Sequence, residues 1–484
     1  MQIEATTNKA YKLLHDGVIA LSGVEANGIK IDTDYLDSAF EMCTAKIQQL
    51  TESIHKTPEF KLWKKRYGQK TNMDSGTQLG KILFEVMDYE CPNLTSTGKP
   101  KTDEPTLEQL DIPFVQDLLG IKKLKKARNT YLQGIRREIT ADGFIHPVFN
   151  LHLVDTFRSS SDSPNFQNMP IRNAEIAELI RQCFIARMLN RQLVEVDYGG
   201  VEIHGAAWYH KDPTMLKYLK DETKDLHRDM ARQCYMLPNR EMLDPVDKKD
   251  GKRIAMIRYV GKNRFVFPEF YGDWHYSCAP AIWAAIDELS LTTRNGASIR
   301  KWLKKKGVRS LGSLKKEKGD DGKWHYPKTK PGTFIHHIKD VEDDFWNRRF
   351  KVYGQWKKDW YNAYLKKGSF TTLTGFEIGG ILRKNEVINY PVQGVAFHCL
   401  LWSLIRISKL LKKYRMKSLI VGQIHDSIVS DVVIKELQDY LEIVHTVMTR
   451  DIKKYWPWII TPLEIDAEAA PPGKSWFEKE EIQI

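Results

Sequence analysis

The sequence lacks the patterns that mark secreted, metal-stapled or membrane-spanning proteins. Its 484 residues include only six cysteines, and none forms a Cys-x-x-Cys pair. A zinc site or a disulfide framework is therefore not indicated, and a reducing, cytoplasmic setting is expected. The N-terminal sequence MQIEATTNKAYKLL has no signal-peptide core. No run of about 18 apolar residues predicts a transmembrane helix, so no membrane is expected as a partner.

Positive charge is in excess. The formal net charge is +12, which suits a polyanionic partner, most commonly nucleic acid, but also suits plain solubility. The excess is concentrated between Arg300 and Lys330, where 12 Lys and Arg residues stand against three acids. This basic insertion is either a disordered surface loop or a contact with DNA.

Hydrophobic periodicity predicts the main elements. Residues 10–60 have helical spacing, interrupted by an Asn-Gly turn in EANGIKID. Residues 122–139 predict a basic helix, 191–200 a buried strand and 393–414 an amphipathic helix. The segment 90–106 is rich in Pro, Gly and Thr and predicts a loop or a hairpin.

Two carboxylates follow apolar, strand-like runs, namely Asp197 in RQLVEVDYGG and Asp426 in VGQIHDSIVSD. Burying an ion costs several kcal/mol unless it is paired or binds a metal. Hard divalent cations prefer oxygen ligands, and two Mg²⁺ ions roughly 4 Å apart can clamp a phosphoryl transfer. We therefore predict that both aspartates bind metal.

Cationic and aromatic side chains in RYVGKNRFVFPEFYG suit a nucleotide. Arg258 and Lys262 are one helical turn apart, so both point the same way. Phe267, Phe270 and Tyr271 follow as stacking faces. Cations bind phosphates and aromatic rings stack on bases, although basic amphipathic helices and core aromatics are common without that role.

In this order, the segments resemble the motifs of the family A DNA polymerases from about residue 10 to about 477. The matching stretches are TNMDSGTQLGKILFE, TSTGKPKTDEPTLEQL, DTFRSSSDSPNFQNMP, VDYGGVEIHGAA (motif A), RYVGKNRFVFPEFYG (motif B), INYPVQGVAFH, QIHDS (motif C) and PLEIDAEAAPPGKSW. INYPVQGVAFH corresponds to the segment before the long palm helix.

The resemblance implies an α+β right-hand polymerase whose palm is an antiparallel sheet. The implied domains are a thumb at 12–153, a palm at 154–226 and 395–484, and helical fingers at 227–394 with an insertion at about 297–340. The implied activity is DNA-directed extension of a primer 3′-hydroxyl with dNTPs, using two Mg²⁺ ions and primer-template DNA. Most family members carry a 3′–5′ exonuclease-type domain upstream of the thumb. We expect a polymerase-only chain, of phage type and acting in the host cytoplasm with a separate exonuclease or processivity factor, or else a fragment.

The resemblance also assigns roles residue by residue. Asp197 and Asp426 correspond to the metal-binding aspartates, Tyr198 offers a backbone carbonyl to a metal, and Glu202 corresponds to the steric gate against a sugar 2′-hydroxyl. The implied nucleotide-binding residues are His227, Arg258, Lys262, Phe267 and Tyr271. Lys262 is also an implied catalytic residue, together with Asp197 and Asp426. The implied DNA contacts are Arg158, Gln167, Asn389, Gln393 and His425.

The sequence departs from the family pattern at several motifs. Ser427 replaces the glutamate that usually ends motif C, Gly199 and Gly200 replace a Ser-Gln pair, and Phe157 replaces a glycine. Motif B carries one extra residue between Lys262 and Phe267. An extra residue rotates a helical face by about 100°, so we predict a π-bulge that restores the alignment.

Two other functions stay open. A single-subunit RNA polymerase shares the palm, and its motif C reads His-Asp-Ser, as this chain does at 425–427. Glu202 and the DNA-polymerase-like thumb argue against it. A non-catalytic DNA-binding subunit would be expected to have lost Asp197 or Asp426, and both are present.

Overall fold

The computed structural model describes residues 6–95, 98–171, 173–319 and 321–484. It is mostly helical with antiparallel sheets, which confirms the predicted α+β class. The predicted loop 90–106 and the basic insertion 300–330 each include residues outside these ranges, as does the extreme N-terminus.

The N-terminal third is a set of helices joined to short strands. The first helix begins after Thr6, whose hydroxyl accepts a hydrogen bond from the Lys9 backbone, and ends at Gly28, where φ is 63°. The elements are α1 Thr7–Asn27, β1 Ile29–Ile31, α2 Thr33–Lys56, α3 Pro58–Tyr67, a 3₁₀ turn Gly68–Lys70, α4 Gly76–Gly80, a π-helix Lys81–Val86, α5 Glu104–Leu107, α6 Pro113–Lys126, a π-helix Ala127–Leu132, α7 Gln133–Glu138, β2 Phe144–Ile145 and β3 Val148–Asn150.

The next segment contains the longest strand. Its elements are β4 Ser160–Asp162, a 3₁₀ turn Phe166–Asn168, α8 Ala174–Arg181, β5 Phe184–Ile185, β6 Arg191–Tyr198, α9 Val201–His210 and α10 Pro213–Lys220. The strand predicted at 191–200 is therefore confirmed as β6.

Helices dominate from Leu226 to Lys367. The elements are α11 Leu226–Cys234, a 3₁₀ turn Asn239–Glu241, α12 Lys248–Gly261, a π-helix Lys262–Val266, α13 Phe267–Phe270, α14 His275–Glu288, α15 Ile299–Lys305, β7 Glu317–Lys318, β8 Trp324–His325, α16 Phe334–Asp344, a π-helix Phe345–Arg349 and α17 Lys351–Lys367. The described residues of the basic insertion form α15, a short hairpin of β7 and β8, and connecting loops.

The C-terminal part returns to the sheet. Its elements are β9 Ser369–Thr371, β10 Glu377–Gly379, α18 Lys384–Lys413, β11 Leu419–Ile424, β12 Ser427–Val433, a 3₁₀ turn Ile434–Glu436, α19 Leu437–His445, a π-helix Thr446–Asp451, α20 Ile452–Tyr455, β13 Ile465–Ala469, a 3₁₀ turn Trp476–Glu478 and β14 Glu480–Ile482.

A five-stranded antiparallel sheet of order β11-β12-β6-β13-β14 organises the molecule. Its register places Ser427 and Asp466 directly opposite Asp197, on either side of β6. Because side chains alternate along a strand, Glu195 and Asp197 share one face while Val194, Val196 and Tyr198 point into the core.

The helix α18 begins earlier than predicted. The sequence indicated 393–414, but the helix runs from Lys384 and includes Pro391. Proline cannot donate to the carbonyl four residues before it, that of Val387. Nε1 of Trp360 donates to that carbonyl instead, at 3.0 Å. The segment INYPVQGVAFH is thus part of the long helix rather than a connection before it.

By length and composition alone, α18 could cross a membrane. However, 72% of its apolar window is buried inside the protein. Its buried residues belong to the same hydrophobic cluster as α1 and the sheet. This is how the central helix of a packed core behaves, so the helix gives only weak support for a membrane span.

The buried apolar residues form distinct clusters, and different segments of the chain contribute to each. One cluster surrounds the sheet and α18, another is formed mainly by residues between Ala206 and Tyr353, and a third by residues between Ile47 and Ile121. The predicted domain limit at 394/395 falls inside α18. Ala206 and Met215, which the predicted limits give to the palm, pack in the second cluster.

We predict that Asp431 stabilises the fold strongly. Its carboxylate, 2% exposed, is 2.5 Å from Nε of Arg191 and 3.1 Å from Nε of Arg187. In Asp431→Ala, two largely buried guanidinium groups lose their counterion. The free energy of unfolding should fall by about 3–5 kcal/mol in urea titrations.

Asp37→Ala is the matched control. It breaks an Asp–Arg pair with Arg136 in which both side chains are exposed. Its loss should stay below about 1 kcal/mol, because exposed ion pairs contribute little. Equal losses in the two variants would contradict a structural role for the buried pair.

Candidate active site

The sheet register brings Asp197 and Asp426 together. Asp197 is the penultimate residue of β6, and Asp426 lies in the two-residue turn between β11 and β12. His425, the other turn residue, has a φ of 49°. The backbone N–H of Tyr198 donates to the carbonyl of Asp426 at 3.4 Å. Both predicted metal ligands therefore lie at the same end of the sheet.

The electrostatics of this pair fit a bound cation. Burial, and then the charges of Asp426 and Glu195, raise the pKa of Asp197 to about 8. Burial also raises the pKa of Asp426. Oδ1 of Asp197 is buried and has no hydrogen-bond partner among the described residues. A divalent cation would satisfy that oxygen and remove the repulsion between the two carboxylates.

Tyr198 directs its side chain away from this pair. Its hydroxyl is 2.9 Å from Oγ of Ser403 and donates to the carbonyl of Met448 at 3.1 Å. The ring is buried in the core, 1% exposed. Any contribution of Tyr198 to the carboxylate pair therefore comes from its backbone, which agrees with the role that the family resemblance implied.

The motif B helix is distorted as predicted. The α-helical pattern of α12 ends at Gly261, a π-helix spans Lys262–Val266, and α13 resumes at Phe267 with proline in its first turn. A π-helical turn accommodates one extra residue. The rings of Phe267 and Tyr271 are stacked with centroids 6.1 Å apart. The predicted π-bulge is confirmed.

Cationic and aromatic side chains converge on this bulge. The His227 ring centroid is 5.7 Å from that of Phe267, and Nζ of Lys262 is 5.4 Å from the same ring. Nε of Arg258 is 2.5 Å from Oδ2 of Asp225, the N-cap of α11. The structure therefore brings together the predicted nucleotide-binding residues of α11, α12 and α13.

The His227 imidazole is neutral at pH 7. Burial, and then the positive charge of Arg258, lower its pKa to about 4. Its Nδ1 is buried and has no partner among the described residues. A neutral ring can place an N–H donor toward an anion with little cost of desolvating a charge.

Glu202 links the carboxylate pair to motif B. It lies in the first turn of α9, five residues after Asp197, and accepts a hydrogen bond from the Tyr271 hydroxyl. Nη1 of Arg158 is 3.4 Å from its other oxygen. Nδ2 of Asn389 donates to the backbone carbonyl of Tyr271 at 3.0 Å. Four predicted site residues from four parts of the chain thus form one network.

A second polar network borders the β11–β12 turn. Nε2 of Gln167 is 2.6 Å from Oε1 of Gln423, whose own Nε2 donates to the carbonyl of His425 at 2.8 Å. Ser159 joins both glutamines. Gln393 lies one turn after Asn389 on α18 and is half-buried, and its side chain makes no hydrogen bond to a described residue. Four of the five predicted DNA-contact residues therefore belong to these two networks, and Gln393 belongs to neither.

Sequence reasoning missed Glu195, Gln423 and Asp225. Glu195 accepts hydrogen bonds from Ser427, Trp476 and Lys479. Although burial alone raises the pKa of Glu195, these groups outweigh it and lower the pKa. An acidic residue inside the apolar run LVEV was the available signal. Gln423 is the first residue of the motif C segment QIHDS, and that position was the available signal.

Comparison with known proteins shows which proteins this chain is similar to. The sequence model of DNA polymerase family A matches residues 34–262. DNA polymerase I of Lactococcus lactis subsp. cremoris is 25% identical over 487 residues, covering 99% of this chain and 47% of that protein. This chain is similar in sequence to the family A DNA polymerases.

Other relatives give the same result. DNA polymerase I of Bacillus subtilis is 25% identical over 464 residues, covering 95% of this chain and 44% of that protein. DNA polymerase I of Synechocystis is 30% identical over 252 residues, or 51% of this chain and 24% of that protein. The chain thus spans about half the length of the curated relatives that it matches along its whole length.

A solved structure identifies the fold as the right-hand polymerase fold. The POL domain of Pol1 from M. smegmatis, in complex with DNA primer-template and dNTP, superposes with a TM-score of 0.67 at 22% identity. The match covers 96% of this chain and 70% of that one. Family A polymerases generally use divalent metal ions, and the unsatisfied oxygen of Asp197 fits one.

We predict that Gly261 is required for α11 and α12 to approach each other. A Cβ on Gly261 would lie 2.6 Å from Cβ of Ala231 and 2.7 Å from the carbonyl oxygen of His227. Gly261→Ala must therefore push the two helices apart. We expect a loss of about 1–3 kcal/mol of unfolding free energy, measured by urea or thermal unfolding.

Gly251→Ala, in the same helix, is the control. A Cβ there meets only Cβ of Pro245, at 3.8 Å. Alanine is the better helix former by about 1 kcal/mol, so this variant should be neutral or more stable. If both alanine variants behaved alike, close helix packing at Gly261 would not be the constraint.

Proposed function

We propose that this chain is a DNA-directed DNA polymerase that extends a primer 3′-hydroxyl on a DNA template with dNTPs. The observation that carries the proposal is the juxtaposition of Asp197 and Asp426 across β6 and the β11–β12 turn, with one buried carboxylate oxygen unsatisfied. The kinship with DNA polymerase I and the cationic cluster of motif B support the same assignment.

Asp197, Asp426 and the backbone carbonyl of Tyr198 are the groups that would hold two Mg²⁺ ions. Bound there, the ions supply positive charge that stabilises phosphoryl transfer. Both aspartates are partly exposed, so a primer terminus could approach them. The structure is preorganised for this, because the strand pairing fixes both aspartates before any ligand binds.

In this proposal, residues of α11, α12 and the π-helix Lys262–Val266 bind the triphosphate. Arg258 and Lys262 provide positive charge, and the neutral His227 provides a hydrogen-bond donor. Arg258 is paired with Asp225 in this structure. A triphosphate would compete with that carboxylate, so the ion pair holds the guanidinium near the site until the substrate arrives.

Primer extension tests the proposal directly. Wild-type protein with Mg²⁺ and dNTPs should extend a primed template. Asp197→Ala and Asp426→Ala should each reduce extension to a trace while DNA binding, measured by fluorescence anisotropy, remains. The reason is that each variant removes one of the two carboxylates on which the ions depend.

Asp466→Ala is the matched control, because Asp466 is an exposed carboxylate directly opposite Asp197 on β13. It should retain extension. Absence of extension by the wild type, or substantial activity in either Asp197→Ala or Asp426→Ala, would overturn the proposal.

A second test concerns the sugar. We propose that Glu202, held by Tyr271 and Arg158, fills the space that a ribose 2′-hydroxyl would need. A site whose buried polar groups lose their partners rejects the wrong substrate by factors on the order of 10⁴. Glu202→Ala should therefore lose much of the discrimination between dNTP and NTP, measured as the ratio of kcat/KM values on one primed template.

Glu202→Gln keeps the side-chain volume and should retain more of this selectivity than Glu202→Ala. Ser427 favours the competing assignment as an RNA polymerase, since it gives motif C the sequence His-Asp-Ser. A wild-type preference for NTPs, or unchanged selectivity in Glu202→Ala, would contradict the steric-gate role and favour that alternative.

A further inference from the structure

Ser427 occupies the motif C position where the family resemblance leads one to expect a glutamate. Its hydroxyl oxygen lies 2.9 Å from Oε1 of Glu195 and 3.0 Å from the carbonyl oxygen of Ile424, and its single hydrogen can be donated to either acceptor. The side chain is 4% exposed. The contact with Glu195 means that a carboxylate is still present beside this position, supplied by β6 instead of β12.

Glu195 is held firmly. Its Oε2 accepts hydrogen bonds from Nε1 of Trp476 at 2.9 Å and Nζ of Lys479 at 2.5 Å. Lys479 also lies 2.5 Å from Oε2 of Glu468 on the neighbouring strand β13. Both the Glu195 and Lys479 side chains are largely buried, at 13% and 12% exposed. A carboxylate with donors on both oxygens has little freedom to move.

The strand geometry places this carboxylate next to the proposed metal site. Glu195 and Asp197 are two residues apart on β6 and therefore share a face. Ser427 is directly opposite Asp197. Among the described residues, no three His, Cys, Asp or Glu side chains form a group that could hold a metal ion. Glu195 thus lies beside the Asp197–Asp426 pair, and its hydrogen bond in this direction is with Ser427 rather than with either aspartate.

We propose that Glu195 is a positioning residue for the Asp197–Asp426 pair. Motif C has Ser427 where the family has a glutamate, and Glu195 on β6 supplies the carboxylate that this position lacks. It fixes Ser427 at the start of β12 and adds a negative charge that strengthens binding of a divalent cation. This inference rests on the proposed function. Groups that support metal ligands in this way typically change metal affinity or activity by 10–100-fold.

The test measures metal binding as well as activity. Mn²⁺ binding to the full chain, followed by electron paramagnetic resonance of the free ion, should weaken about 10–100-fold in Glu195→Gln. The Mg²⁺ concentration for half-maximal primer extension should rise in parallel. Glu195→Gln keeps the shape of the side chain and removes only its charge, and thermal unfolding reports whether the fold is retained.

A relocation variant separates charge from architecture. Glu195→Ala combined with Ser427→Glu moves the carboxylate to β12, and it should bind Mn²⁺ more tightly than Glu195→Ala alone. Glu468→Gln is the control, because it removes a charge from the same Lys479 without touching Ser427. It should leave Mn²⁺ affinity unchanged.

These measurements decide whether Glu195 acts on the metal site or only on the fold. If Glu195→Gln and Glu468→Gln bind Mn²⁺ equally well, Glu195 merely anchors the C-terminal segment at Trp476 and Lys479, and the inference is wrong. The same conclusion follows if the relocation variant binds no better than Glu195→Ala. If Asp197→Ala also retains Mn²⁺ binding, the proposed function itself fails, so the two failures are distinguishable.

Discussion

The site depends on holding two like charges together. Asp197 and Asp426 repel each other, and burial further disfavours their ionised forms. The antiparallel pairing of β6 with β12 fixes them in place, since Ser427 pairs opposite Asp197 and the adjoining turn carries Asp426. Strand hydrogen bonds, with the core packed beneath them, supply the free energy that this arrangement costs. A divalent cation bound between them would relieve this repulsion.

The rest of the structure delivers other groups to the same end of the sheet. Glu202 begins the helix after β6 and reaches Tyr271, so the sheet and motif B are in direct contact. The π-helix at Lys262–Val266 keeps the aromatic side chains of motif B on the side of His227. Gly261 lets α11 and α12 come close enough for their side chains to act together. Each of these features is local, but together they place their side chains around one site.

Much of this arrangement was predictable from the sequence. Apolar patterning predicted the buried strand β6, and the spacing in motif B predicted its bulge. The order of the motifs predicted that Asp197 and Asp426 lie close together. The extra residue before Phe267 was decisive, because a regular helix would have turned the ring away.

The remainder depended on contacts between distant residues. The start of α18 could be predicted only with the knowledge that Trp360 donates to the carbonyl of Val387, which Pro391 leaves without a backbone donor. The environment of Glu195 could not be predicted locally, because it is formed by Trp476 and Lys479, which lie 281 and 284 residues further along the chain. Neither partnership leaves a local pattern, so periodicity and motif spacing could not reveal it. The replacement of glutamate by Ser427 marked the place where the pattern failed.

The most direct test of the central claim is anomalous diffraction from a crystal of this chain with primer-template DNA, a non-hydrolysable dNTP and Mn²⁺. The account predicts anomalous density for Mn²⁺ against the carboxylates of both Asp197 and Asp426, with the triphosphate on the side of Lys262. Bound nucleotide with no Mn²⁺ at these two carboxylates, or Mn²⁺ held elsewhere, would contradict it.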